Sequence, residues 1–365
     1  MARRALAAER FAAVSLPRTD EEVWRYSRID DLDLDRYQPG GNTTAVEHGD
    51  LGRARVVRGD DVEPDPLPET ADALVWLHHA LAADPIVIDV PAGVVVTDPI
   101  VVRHTGPAEG VAAAPRLMVR VGADAEVRVV EVFVGGAAGL LLPATHLALG
   151  SAARLGYVGV QDLHRAAWTI GTLEIEAEAQ ATVTAALAGF GGDYARLRTD
   201  CRLTGQGATG DLLAAYFGDG DQTLDYRTFQ DHIAPDTTSN LLFKGVVSDR
   251  SRSVYTGLIR VAKEARGTNA FQTNRNIKLS EEAWAESVPN LQIENNDVHC
   301  SHASAVGPID EEQRFYLESR GVPTREAERL IVAGFFAEVF DAFPGTAVRA
   351  TLDAAVAAKL QAVLA

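Results

Sequence analysis

A mainly β chain, built from stacked strand rungs between helical ends, is what this sequence predicts. Three observations carry that expectation. From Ile86 to about Val298 the apolar residues come in short β-branched runs bounded by Gly, Pro or Asp, several of them alternating. Hairpin dipeptides such as Asn-Gly are few there, and no strong helical period interrupts the run. Both ends instead place apolar residues three or four apart. Uneven strand spacing with few hairpins suits the rungs of a β-helix better than a meander, and a β-sandwich is the other arrangement the pattern permits. The regions read as 1–84, mostly helical; 85–303, the strand core; and 304–365, helical.

In chain order, Leu6, Arg10 and Val14 stand four apart beside Phe11, which predicts a helix over 2–14 stopped by Leu16-Pro17. Thr19 and Glu22 form a capping-box signature for a short helix through Val23, Trp24 and Tyr26. A charged, proline-rich passage runs from Arg53 to Pro68, and Leu74, Leu77 and Leu81 mark another helix ending near Asp84-Pro85. The strand runs follow, among them Glu126-Val-Arg-Val-Val-Glu-Val-Phe, Leu173-Glu-Ile-Glu-Ala-Glu-Ala and Arg196-Leu-Arg-Thr-Asp-Cys-Arg-Leu. Asp310 caps a helix over Glu311–Arg320, with Gly321 at the position that favours a left-handed backbone. Thr324 opens a helix carrying Ile331, Phe335 and Val339, ended by Phe343-Pro344-Gly345. Val348, Leu352, Val356, Leu360 and Leu364 stripe the last one, a pattern that serves packing within the chain or docking of a partner.

A formal net charge of −17 opposes a nucleic-acid partner, because phosphates would be repelled. Two cysteines, Cys201 and Cys300, make no disulfide framework and fit a reducing, cytoplasmic setting. No apolar stretch follows the basic start Met1-Ala-Arg-Arg-Ala, so a secretory signal is not expected. Val132 to Ala153 lacks charge and is long enough to span a bilayer. Gly135-Gly136, Gly139, Pro143, His146 and Gly150 break it into strand–turn–strand, so no membrane span is expected.

Asn296-Asp297-Val298-His299-Cys300-Ser301-His302-Ala303 holds the most chemistry. In an extended segment Cys300 and His302 project to one side while His299 and Ser301 project to the other. A thiolate beside an imidazole is half of a soft-metal site, and two ligands are too few for a tetrahedral ion. The remaining ligands would come from another rung, a partner chain or a guest cluster; otherwise the pair is a buried Cys with a hydrogen-bonded His. A thiolate–imidazolium nucleophile lacks an orienting third group on the same strand. Gly205-Gln-Gly-Ala-Thr-Gly210 matches a dinucleotide fingerprint, but Asp211–Phe217 is too short for the helix it needs, so it reads as a turn. No phosphate-binding P-loop and no nucleophile elbow occur. His78-His79, His104, His146, His164 and His232 are scattered and read as structural, and Cys201 as a packed strand residue. Asp225 and His232 stand seven apart in a stretch that reads as a polar loop.

Several longer segments also occur in a fixed order: Lys244-Gly-Val-Val-Ser, Ser253-Val-Tyr-Thr-Gly-Leu-Ile-Arg-Val, Gln272-Thr-Asn-Arg-Asn and Pro289-Asn-Leu-Gln-Ile. Asp297-Val-His-Cys-Ser-His-Ala and Asp310-Glu-Glu-Gln-Arg-Phe-Tyr-Leu-Glu-Ser-Arg-Gly follow them, and Glu22-Val-Trp-Arg-Tyr-Ser stands near the start. On these residues the chain resembles the SUF-system SufB/SufD family of iron–sulfur cluster assembly proteins. The Cys-Ser-His-Ala form resembles the D type, since the B type has a His-Glu pair where this chain has His302-Ala303. Leu291-Gln292-Ile293 and Asn296-Asp297-Val298 depart from the family's Leu-Glu-Ile and Asp-Asp-Val, removing two carboxylates beside the pair.

The resemblance implies a right-handed parallel β-helix with helical ends and a scaffold role without catalysis. It also implies pairing with a SufB-like paralogue and docking of a SufC-like ATPase through the C-terminal helices, around Phe315, Tyr316, Arg320 and Gly321. Cys300 and His302 would lie where a transient iron–sulfur cluster or iron forms between subunits, with no tightly bound cofactor in the chain itself. Self-pairing of the isolated chain is a further option. The rival reading is a carbohydrate-active β-helix enzyme, which needs carboxylates about 5 to 9.5 Å apart, for which Asp219, Asp221 and Asp225 are the candidates.

Overall fold

The strand runs fold into rungs that alternate between two sheets. This computed structural model describes residues 2–59, 71–82, 85–345 and 348–364. One sheet receives Trp168–Ala177, Tyr194–Leu203, Thr223–His232, Arg252–Val261 and Trp284–Ile293, all parallel. The other receives Glu126–Gly135, Arg154–Leu163, Thr182–Gly189, Thr209–Gly218, Thr238–Val247, Thr268–Lys278 and Val298–Gly307, again parallel. Each rung lies over the one before it, so the core is a β-solenoid, the expected parallel β-helix. Tyr194, Thr223, Arg252 and Trp284 stack in register, and so do Arg154, Thr182 and Thr209. The spacing between stacked residues is uneven, which is why no fixed period shows in the sequence.

Side chains from both sheets meet in the lumen between them. Ile100, Val127, Val129, Leu155, Val183, Leu212 and Leu241 are among its apolar filling. A parallel sheet needs its outer faces covered as well, and the two ends of the chain do this. Trp24, Ile29, Leu32 and Leu74 pack on Leu140, Leu142, Trp168, Ile170 and Tyr194, outside the first sheet. On the outside of the second, helices α4 (Thr324–Phe340) and α5 (Arg349–Val363) lay Val332, Phe336, Val339, Leu352, Val356 and Leu360 over Val130, Val132, Val158, Phe217 and Val246. The apolar stripes of both helices are therefore used within the chain. Lys359 seats α5 by donating to Asp219 Oδ1 at 2.5 Å and Gln222 Oε1 at 2.6 Å. Buried Lys244 seats α4 by donating to the Phe335 carbonyl at 2.9 Å and to Glu338 at 2.5 Å.

Four expectations need correction. The described residues of 1–84 are less helical than their spacing implies. Helices Ala2–Ala12 (α1) and Ala73–Leu81 (α2) are joined by short 3-10 turns and by strands Gln38–Pro39, Thr44–Glu47 and Arg55–Arg58, two of which pair antiparallel with the first core strands. Thr19 does not cap the turn Glu22–Trp24; its hydroxyl donates to Asp30 instead, and the nearby carboxylate of Glu21 accepts from the Arg18 amide. Asp225 and His232 lie in the strand Thr223–His232, not in a loop, because buried partners replace water around them. The strand core also runs past 303, to Gly307. Val132–Ala153 does break into strands, and among the described residues no helix is long and apolar enough to cross a membrane. Residues 60–68 of the proline-rich passage, and Asp84 at the expected end of α2, lie outside the described residues.

Candidate functional site

The last strand, Val298–Gly307, is the top rung of the second sheet and pairs on one side only, with Thr268–Lys278. In the rung beneath, Ala270, Gln272, Asn274 and Asn276 are buried on the lumen side, while Phe271 is exposed on the other. Cys300 stands over Ala270 and His302 over Gln272. Strand alternation therefore puts both on the lumen side, as their spacing requires. Among the described residues no rung covers them, so His302 is exposed, and Cys300 is half-buried against Ile259, Val261, Ala265 and Ala270. Trp284–Ile293 is likewise the uncovered last strand of the first sheet, leaving Leu291 and Ile293 exposed.

Burial raises the Cys300 thiol above its ordinary value, and a backbone hydrogen bond to Ala270 only partly opposes this. Cys300 is thus held as a thiol, not as a preformed thiolate nucleophile. Cys201, in the lumen, is pushed up to about 12 by burial and nearby carboxylates, in keeping with a packed strand residue. Iodoacetamide is therefore expected to alkylate Cys300 alone in the folded protein, with a midpoint above the ordinary thiol range. Cys201 should react only after unfolding, and intact mass across a pH series checks both. Among the described residues no three His, Cys, Asp or Glu side chains come together to hold a metal ion. Among those residues, the thiol and the imidazole therefore have no third such group beside them.

Helix α3 (Glu311–Glu318) is capped by Asp310, which accepts from the amides of Glu312 and Gln313. It ends sooner than its pattern suggests, through a turn in which Gly321 takes φ +85°. None of its residues is buried, and Phe315 and Tyr316 are 70% and 55% exposed. The Arg320 guanidinium lies 4.5 Å from the centre of the Tyr316 ring. A groove of ≈ 1100 Å³ separates this helix and α4 from the last strands, lined by Val306, Tyr316, Leu317, Leu330 and Phe335.

The carboxylates of the rival reading are not a pair. Asp219 is buried against Lys359 and Arg165, exposed Asp221 bonds Arg250, and Asp225 is buried between Arg196 and Arg227. The Gly205–Gly210 segment is a turn leading into the strand Thr209–Gly218. The other histidines that are buried have structural partners: His78 holds the Leu142 carbonyl, His104 holds Glu131, and His232 holds Thr237 and Ser239.

Sequence reading singled out the rung of Cys300 and overlooked the polar lumen beneath it. Tyr216 donates to Asn276 Oδ1 at 2.9 Å and accepts from Asn274 at 3.0 Å, and Asn276 donates to Asn274 at 2.8 Å. Ser253 also reaches Asn276, and Tyr255 bonds Thr228. Ser253, Tyr255, Asn274 and Asn276 belong to the segments that carried the resemblance, and their polar side chains at lumen positions were the available signal. Lys244, the fastener of α4, was missed in the same way.

The solenoid thus ends in two uncovered strands, one of which carries Cys300 and His302 on its lumen side. The family model for the SUF system FeS cluster assembly SufBD core domain matches residues 103–335, and the chain belongs to that family. An iron–sulfur cluster assembly SufBD family protein of Mycobacterium tuberculosis is 32% identical over 96% of this chain and 90% of its own. The iron–sulfur cluster assembly protein SufD of Escherichia coli is 37% identical over 42% of this chain and 36% of its own, and that of Bacillus subtilis 35% identical over 44% and 36%.

Proposed function

We propose that this chain is a non-catalytic scaffold subunit of a cytoplasmic SUF assembly complex, whose uncovered end pairs with a SufB-like paralogue. The observation that carries this reading is the coincidence of an incomplete thiol–imidazole pair with two unpaired strand edges at one end of the solenoid. Each of those edges belongs to a ten-residue strand, whose free N–H and C=O groups invite another strand. A partner covering that end would complete the coordination of Cys300 and His302 around nascent iron or an iron–sulfur cluster, the cargo of the complex. Thiolate suits iron and sulfide because it is soft and loses its proton on binding. Phe315, Tyr316, Arg320 and Gly321 would form the docking point for a SufC-like ATPase, on and just after a helix none of whose residues is buried.

His302→Ala tests the cluster reading. Cluster yield on the reconstituted complex is expected to fall at least about tenfold, with subunit assembly by size-exclusion chromatography unchanged. Full yield from an intact complex removes the ligand role of His302. Loss of assembly instead makes the residue part of the contact between subunits.

A further inference from the structure

We propose that Gln272 is the positioning residue for His302: its amide oxygen accepts one imidazole N–H from the lumen side and leaves the other ring nitrogen for the soft cargo. This rests on the cluster reading above and extends it to the rung beneath. Gln272 is 1% exposed, and both its amide oxygen and its amide nitrogen are buried without a hydrogen-bond partner. Leaving such a group unpaired costs roughly 1–3 kcal/mol. His302 lies directly above it in register, on the same side of the sheet. Adjacent strands are about 4.8 Å apart, so an imidazole turned inward brings a ring nitrogen within reach of the amide.

The lumen is shaped to leave this amide room. Gly257, across from it, has no side chain, and a Cβ there would overlap both the Tyr255 hydroxyl and Gln272 Nε2. Neighbouring polar groups are already committed: Asn274 and Asn276 to Tyr216 and each other, Tyr255 to Thr228. Among the described residues Gln230 is the other glutamine with neither amide atom paired, but the residue above it is Ile259, which offers no donor. Gln272 alone of the two has an imidazole on the next rung. A metal-ligating histidine is generally held by a hydrogen bond at its second nitrogen, and loss of that bond weakens metal binding about 10–100-fold.

Gln272→Met keeps the length of the side chain and removes the amide. In the metal-free complex with the B-type paralogue, ¹⁵N spectra of the histidine rings are expected to change from one fixed His302 tautomer to an averaged mixture. Ferrous iron titrated anaerobically into that complex should bind about 10–100-fold more weakly, while the melting temperature of the isolated chain holds or rises. Gln272→Glu, which keeps an acceptor, is expected to retain the fixed tautomer. Unchanged His302 resonances and iron affinity in Gln272→Met overturn the proposal, as does an averaged tautomer in Gln272→Glu. A lowered melting temperature with an unchanged His302 ring makes the amide merely structural, which also overturns it. Full iron binding by the His302→Ala complex would instead overturn the cluster reading, and the ring spectra would still report on Gln272 separately.

Discussion

Asp225→Ala is expected to destabilise the chain by about 3–5 kcal/mol and to loosen the N-terminal segment from the solenoid. The Asp225 carboxylate is fully buried and accepts from Arg196 Nη1 at 2.9 Å, from Arg227 Nε at 2.5 Å and from the Tyr194 hydroxyl at 2.8 Å. Both guanidiniums reach on to the N-terminal segment: Arg196 donates to the Val23 carbonyl and Arg227 to the Arg25 carbonyl. Arg196 also stacks 3.8 Å from the centre of the Trp24 ring. Removing the carboxylate strands two buried cations and undoes the platform under Glu22-Val-Trp-Arg-Tyr-Ser. Burial alone would raise the Asp225 carboxyl, but the two arginines outweigh it and hold the group below its ordinary value. Its stabilisation is therefore complete above the unfolded carboxyl range, near pH 4, and is lost as pH falls through the lower folded value. Urea midpoints across acid pH should show this loss in the parent and not in the variant. Limited proteolysis should cut the variant first between α1 and the core.

Glu131→Ala is expected to cost a similar ~3–5 kcal/mol, read as a lowered urea midpoint with an unchanged slope. Glu131 lies in the lumen, with Oε1 bonded to His104 Nε2 at 2.9 Å. Oε2 accepts from Tyr157 at 2.6 Å and Thr145 at 2.7 Å. His104 bonds on to Thr44, so the network also pins the outermost strand of that sheet. Burial first, then the Glu131 charge, raises the Tyr157 hydroxyl well above its ordinary value and keeps it a donor. Alanine leaves all three donors unpaired in a dry interior. Glu131→Gln keeps the shape and one acceptor oxygen, which can still take the Tyr157 and Thr145 hydroxyls, so its loss should be smaller.

These two carboxylates also mark where sequence reading stopped. Alternation correctly identified Glu126–Phe133 as a strand, yet a simple apolar-inward rule would turn Glu131 to solvent. It faces the lumen, while Val130 and Val132 face outward beneath the C-terminal helices. Two covered faces erase the polar–apolar contrast on which the rule relies. Asp225 and His232 likewise made a buried strand read as a loop: Arg196 and Tyr194 reach Asp225 from another rung, and the nearer partners Arg227, Thr237 and Ser239 are brought to them only by the folded strand. The shared side of Cys300 and His302 was legible because it depends only on the two-residue period. The uncovered rung above them, and the unpaired amide below, depend on which strands stack and could be read only from the fold. Asp310 and Gly321 were legible for the opposite reason: a cap and a positive φ are local chemistry.

The two ends of the solenoid differ in how they finish. At the amino-terminal end the outermost strands, Thr44–Glu47 and Arg55–Arg58, are four residues long and run against their neighbours; at the other end the outermost strands are ten residues long. Head-to-tail growth into fibres needs two adhesive termini, and the four-residue strands are the poorer template of the two. On the proposed reading, association through the long strands would consume that surface of both participants, so growth along the solenoid axis would stop there.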